Sequence, residues 1–175
     1  MYRVYPLWSV ALYNGGTLVH FGLGAAGLAV ANDRWPALGW VLTIVYLVVA
    51  LGQMYVMMPL AVCPSCVYRT MAGSRCVSAM NIVSARLRRS RPPADFAQRA
   101  QGVFCHNNLY LGSLVAPIPL ILVGLIASFS LAALALMAAV AALLAFRIFV
   151  IFRRTACPHC AAKGRCPNAK AMGIA

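Results

Sequence analysis

Four apolar runs leave this chain few folds to choose from, because each is long enough at about 1.5 Å per helical residue to cross a hydrocarbon layer of about 30 Å. They lie at Leu7–Ala31, Pro36–Leu60, Leu109–Ala127 and Leu131–Phe152. Lipid offers no hydrogen bonds to a backbone, so runs of this length are expected to be helices that satisfy their own amides and carbonyls. Only 10% of the residues are charged and 63% are hydrophobic, too little polar surface for a water-soluble globule. The expected fold class is an all-α membrane protein with four transmembrane helices. The first run ends in Ala29-Val30-Ala31, which has the small residues of a signal-peptide cleavage site. It is longer than the roughly 7 to 15 apolar residues of such a signal, and only Arg3 precedes it, so a retained span is expected.

Charge orients these runs, since Arg and Lys close to span ends stay on the cytoplasmic side. Arg69, Arg75, Arg86, Arg88, Arg89, Arg91 and Arg99 lie between the second and third runs, and Arg153, Arg154, Lys163, Arg165 and Lys170 follow the fourth. The opposite side has Arg34 with Asp33 beside it. Both termini are therefore expected in the cytoplasm, with the protein in the plasma (inner) membrane. The net charge of +13 flanks spans and comes with no nucleic-acid-binding module, so its expected partner is anionic lipid rather than nucleic acid.

A cysteine pattern occurs twice where an apolar run meets basic residues. Cys63-Pro64-Ser65-Cys66 is followed by Gly73-Ser74-Arg75-Cys76, and Cys157-Pro158-His159-Cys160 by Gly164-Arg165-Cys166. The halves also share Leu12-Tyr13-Asn14-Gly15 against Leu109-Tyr110-Leu111-Gly112, and Tyr55-Val56 against Phe149-Val150. An internal repeat follows: residues 1–108 form the first unit and 109–175 the second. Each holds an even number of spans, so the two repeats would run parallel and present their cysteines on one cytoplasmic, metal-binding face.

Cytosolic thiols are kept reduced, so seven cysteines there point to metal or catalytic sulfur rather than disulfides. A Cys-x-x-Cys turn brings two sulfurs to one side, and proline after the first cysteine stiffens it. The candidate ligands are Cys63, Cys66, Cys76, Cys105, Cys157, Cys160 and Cys166, with His106. Two partitions stay open. Cys63, Cys66, Cys157 and Cys160 could share one tetrahedral ion, leaving Cys76, Cys105, Cys166 and His106 for another. Alternatively Cys63, Cys66, Cys76 and Cys105 hold one iron–sulfur cluster, and Cys157, Cys160 and Cys166 hold a second. Cys166-Pro167 resembles the end of a ferredoxin-type run, although the spacings differ from the bacterial pattern. The surrounding arginines suit an anionic cluster, so iron–sulfur is expected ahead of zinc. The positive charge beside the sulfurs would also lower their pKa, as dithiol redox chemistry requires. Met54, Met57 and Met58 leading to Cys63 suggest a third possibility, handling of soft copper or mercury ions.

His20 falls inside the first run, where an ionisable residue is expensive. With Asn14 and Gln53 it forms a candidate quinone or proton site; otherwise its imidazole bonds a neighbouring helix. Asp33 and Asp95 are the only acids, which excludes a carboxylate pair and, with no phosphate-cradling loop, nucleotide turnover. Electron transfer follows as the expected function: an iron–sulfur or anchor subunit of a membrane redox complex, working with a cytosolic redox partner and quinone, and not a stand-alone enzyme. The alternative is a non-catalytic protein with structural zinc knuckles for partner binding.

Further expectations concern packing. Gly15, Gly16, Gly22, Gly24 and Gly27, and Ala132, Ala135, Ala138, Ala139, Ala142 and Ala145, are small enough to let helices approach. Pro117 and Pro119 should kink the third span and free carbonyls. Tyr2, Tyr5, Trp8, Trp35 and Trp40 read as interfacial anchors. Val77–Arg91 reads as a helix lying in the headgroup layer and ended by Pro92-Pro93, with Asp95 capping another that runs to Gly102.

Overall fold

The first apolar run becomes helix α1, Leu7–Ala31, and it occupies the middle of the bundle. The computed structural model describes residues 1–92, 106–166, 169–170 and 172–174. Helix α2, Pro36–Leu51, follows across a tight turn and continues as a π-helical segment, Gly52–Val62. A single 3-10 turn at Cys63–Ser65 and two short helices, α3 (Val67–Thr70) and α4 (Met80–Leu87), complete the first half. The second half runs through α5 (His106–Val115), α6 (Pro117–Ala127) and α7 (Leu131–Phe146) into another π-helical segment, Arg147–Ala156. No named strand occurs among the described residues; the chain makes one isolated bridge, between Val4 and Arg75.

Three continuous helices are long and apolar enough to cross a membrane: Pro36–Ser65, Asn108–Ala127 and Leu131–Ala156. Helix α1 has the length, 25 residues, but is more polar. Its position explains why such a sequence is tolerated. It packs against α2, α6 and α7, and Ser9, Tyr13, Thr17 and His20 are all buried. The outer helices show the reverse pattern, with Val45, Val48, Val49, Val123 and Ile126 exposed.

Close approach depends on particular glycines. A Cβ on Gly24 would come within 2.8 Å of the Pro117 ring, one on Gly27 within 2.4 Å of Ile121, and one on Gly124 within 2.6 Å of the Ala31 carbonyl oxygen. Gly15 and Gly22, expected in the same packing stripe, face open space. The alanine stripe of the fourth run also differs from expectation: Ala132, Ala135, Ala138, Ala142 and Ala145 are exposed, while α7 buries Ala133 and Val140.

The expected proline break is present between α5 and α6. Pro117 has no N–H for the Ser113 carbonyl four residues back, and that oxygen instead accepts from the Tyr46 hydroxyl at 3.2 Å. The next freed carbonyl, Leu114, lies 2.8 Å from His20 Nε2, so that nitrogen carries the proton and donates. His20 thus fills a gap in a neighbouring helix, and its Nδ1 has no partner.

The connector helix is shorter than expected, ending at Leu87 well before Pro92-Pro93. It turns Asn81 and Ser84 inward and leaves Ile82, Val83 and Leu87 exposed, the opposite of a water-soluble surface helix. The cap expected from Asp95 and the helix to Gly102 lie outside the described residues.

Overpacking at the α1–α6 crossing tests this arrangement. Gly124→Ala is expected to cost about 1–3 kcal/mol, because its new methyl meets backbone. Gly22→Ala should stay within about 0.5 kcal/mol. Thermal unfolding of both variants in one detergent checks the contrast, and equal loss would contradict the close crossing.

Candidate metal centre and a buried arginine

Both knuckles are built the same way. Each is preceded by a π-helical segment whose last amide reaches back five residues: Cys63 N to Met58 O, and Cys157 N to Phe152 O at 2.9 Å. Runs of π-helix are rare and concentrate at functional sites. Each knuckle then closes its turn, Cys66 N donating to Cys63 O at 3.1 Å and Cys160 N to Cys157 O at 3.2 Å. In each, the amide two residues past the second cysteine points at that cysteine's sulfur, Tyr68 N toward Cys66 and Ala162 N toward Cys160 Sγ at 3.4 Å. Amide donors of this kind favour a thiolate.

The N-terminal segment ties the two knuckles together. Tyr2 N donates to His159 O at 2.9 Å, and the Tyr2 ring stacks on His159 at 4.4 Å. The Tyr68 hydroxyl donates to Tyr2 O at 3.0 Å and accepts from Ala161 N at 3.1 Å, joining the first half to the second. Tyr5 donates its hydroxyl proton to Ala156 O, and its own amide bonds Arg75 O at 2.9 Å. Tyr5 is only 1% exposed, so it is a tie between loops and not the interfacial anchor the sequence suggests, whereas Tyr2 stays 40% exposed. Trp8, Trp35 and Trp40 are exposed as anchors should be.

Six cysteines, Cys63, Cys66, Cys76, Cys157, Cys160 and Cys166, carry free thiols at this end of the bundle. They interact electrostatically across the halves: Cys66 with Cys76, Cys160 and Cys166, and Cys160 with Cys76. Cys105 and the His106 side chain lie outside the described residues. Among the described residues no three His, Cys, Asp or Glu side chains form a group that could hold a metal ion. The donor chemistry fits a thiophilic metal, and the spacing as folded does not close around one, so binding requires the sulfurs to draw together.

Burial is the largest influence on these thiols. It pushes the Cys66 and Cys157 thiols up to about 12, with neighbouring thiols adding to the shift, and it raises Cys160 in the same direction. Burial thus holds these three sulfurs toward the neutral S–H form, the reverse of the lowered pKa that dithiol redox chemistry uses.

The methionines before Cys63 do not converge. Met54 is fully buried in the core, Met57 is half exposed, and Met58 faces a cavity near the second knuckle.

Sequence reading overlooked Arg147, which lies within the fourth apolar run and is 0% exposed. An ionisable residue inside an apolar run is a functional candidate by default, so the signal was present. Arg147 opens the second π-helical segment, ten residues before Cys157, and buried Gln53 stands ten residues before Cys63 in the first. The guanidinium sits 5.5 Å over the Tyr13 ring and 5.6 Å over Phe152, and its Nη2 donates to the Tyr110 hydroxyl. Gly16 lies beside it, where an added Cβ would make ordinary contact 3.5 Å from Nη1. Nε and Nη1 have no hydrogen-bond partner. Asn14 donates to Val10 O at 2.9 Å and Ser78 O at 3.2 Å, and its Oδ1 has no partner among the described residues.

No protein-family model, curated protein or solved structure matches this chain.

Neutral, buried thiols should alkylate slowly. At pH 7.5 iodoacetamide is expected to label Cys66, Cys157 and Cys160 at least about tenfold more slowly in the folded protein than in denatured chain, because thiolate is the reacting form. Mass spectrometry of timed samples measures this; comparable rates would contradict the burial described.

Proposed function

We propose that this chain is a four-span integral membrane protein whose paired cysteine knuckles bind an iron–sulfur centre for electron transfer within a membrane redox complex. The observation that carries the reading is the duplicated knuckle: two matching Cys-x-x-Cys turns, each with an amide aimed at sulfur, drawn to one end of the bundle with their thiols free. It acts as an accessory subunit, not a stand-alone enzyme.

Helix α1 is the fourth span in this reading, supported by its 25 residues and by its cover of α2, α6 and α7. Two parallel repeats, residues 1–108 and 109–175, are supported by the matched succession of helix, π-helical segment and knuckle. The thiol end faces the cytoplasm of the plasma membrane, because the arginines and lysines cluster there while the opposite turn has Arg34 beside Asp33. The same basic residues serve anionic lipid and an acidic cytosolic redox partner. The exposed apolar side of α4 lies against the headgroup layer.

A structural-zinc reading makes the metal the fastener of this face. The ties through Tyr2, Tyr5, Tyr68 and Arg75 close it without sulfur, which favours a centre that is not needed for folding.

Anaerobic purification with metal and sulfide analysis tests the proposal. Iron, acid-labile sulfide and a visible absorption band are expected in the protein as purified. Cys63→Ser and Cys157→Ser should lose iron and colour while keeping helical circular dichroism. A colourless preparation with stoichiometric zinc overturns the electron-transfer reading, and collapse of the two variants would favour the zinc knuckle.

A further inference from the structure

A cavity of about 190 Å³ runs beside the second knuckle, between the thiols and the buried arginine. Cys157, Cys160 and Cys166 line one part of it and the Tyr13 and Tyr110 rings another, with apolar walls that include Leu114 and Phe152. Tyr13 and Tyr110 are each more than nine-tenths buried. Arg147 stands behind them, donating to the Tyr110 hydroxyl from one side and covering the Tyr13 ring from another.

Two tyrosines on one wall of the cavity offer hydroxyl donors. Tyr110 oxygen accepts from Arg147, which leaves its own hydrogen to donate. That hydrogen has no protein acceptor among the described residues, and the cavity adjoins it. A buried cation polarises this donor, so it favours an oxygen acceptor that gains negative charge. The volume is below the range of about 300–1,000 Å³ for drug-sized ligands, room for a ring and little more. Flat walls of leucine and phenylalanine suit an aromatic or quinonoid body.

We propose that this cavity binds the head group of a membrane quinone, with a carbonyl oxygen accepting from the Tyr13–Tyr110 pair and Arg147 acting as the positioning and polarising residue behind it. The site differs from the one expected from sequence: none of His20, Asn14 and Gln53 lines the cavity. The quinone's role as electron acceptor rests on the electron-transfer reading above, whereas its binding does not.

The test uses the full chain in detergent and a short-chain benzoquinone carrying a photoreactive azide, with labelled peptides mapped after irradiation. Labels are expected on peptides containing Val77, Leu111 or Met172, and excess unlabelled quinone should remove them. Tyr110→Phe, which deletes only the hydroxyl, should weaken competition roughly five- to tenfold. Val77→Phe, which fills the cavity from a loop outside the spans, should abolish site labelling. Gly22→Ala, facing open space, should behave as wild type. Labels scattered over the exposed faces of α2 and α7, or labels that unlabelled quinone does not displace, would overturn the site; so would a Tyr110→Phe chain of native helicity that competes normally. Iron content is read separately on the same preparations. Colourless protein that binds quinone removes the electron-transfer reading and leaves the site, and iron-containing protein that does not bind quinone does the reverse.

Discussion

Helix α1 is too polar to face an apolar layer along its whole length, and the other helices are arranged so that it does not have to. Tyr13, Thr17 and His20 are buried against neighbours, and the backbone groups that α1 meets are ones those neighbours cannot satisfy themselves. Pro117 leaves the Ser113 and Leu114 carbonyls without helical donors, and Tyr46 and His20 supply them. A kink in one helix and a histidine in another are thus one feature. The glycines at positions 24, 27 and 124 let the chains come close enough for it.

Arg147 follows the same logic with a larger charge. A guanidinium with no carboxylate beside it among the described residues is costly in an apolar interior, and here two aromatic faces and a tyrosine hydroxyl offset part of that cost. Two of its nitrogens still have no partner. Such a residue persists where its field is used, and the adjoining cavity with a spare hydroxyl proton is where that field acts.

The knuckles show how a motif that occurs twice in the sequence is brought to one end of the bundle. Each π-helical segment delivers its Cys-x-x-Cys turn in the same local geometry, so the two halves present equivalent sulfurs. What joins them is not part of the cysteine motif. The first six residues thread between the loops, and Tyr2, Tyr5 and Tyr68 hydrogen-bond across the halves. The face therefore holds its shape through backbone and phenol groups, and its described thiols remain free.

Local physics made much of this legible in the sequence. Leu7–Ala31 coincides with α1 from end to end, because the length of an apolar run is a property of the run alone. The same holds for the turns at residues 32–35 and 128–130, the break at Pro117, and the two knuckle turns closed by their own amides. Tertiary structure decided what no local pattern encodes. It sent most of the alanines of α7 outward, turned Tyr5 from an expected membrane anchor into a tie between loops, and made burial the largest influence on the Cys66 thiol. It also left the described sulfurs too far apart to close on an ion and set Arg147 behind a cavity. The physical reason is common to all of these: which way a side chain faces, and how much water it keeps, depends on the helices packed beside it and not on its neighbours in the chain.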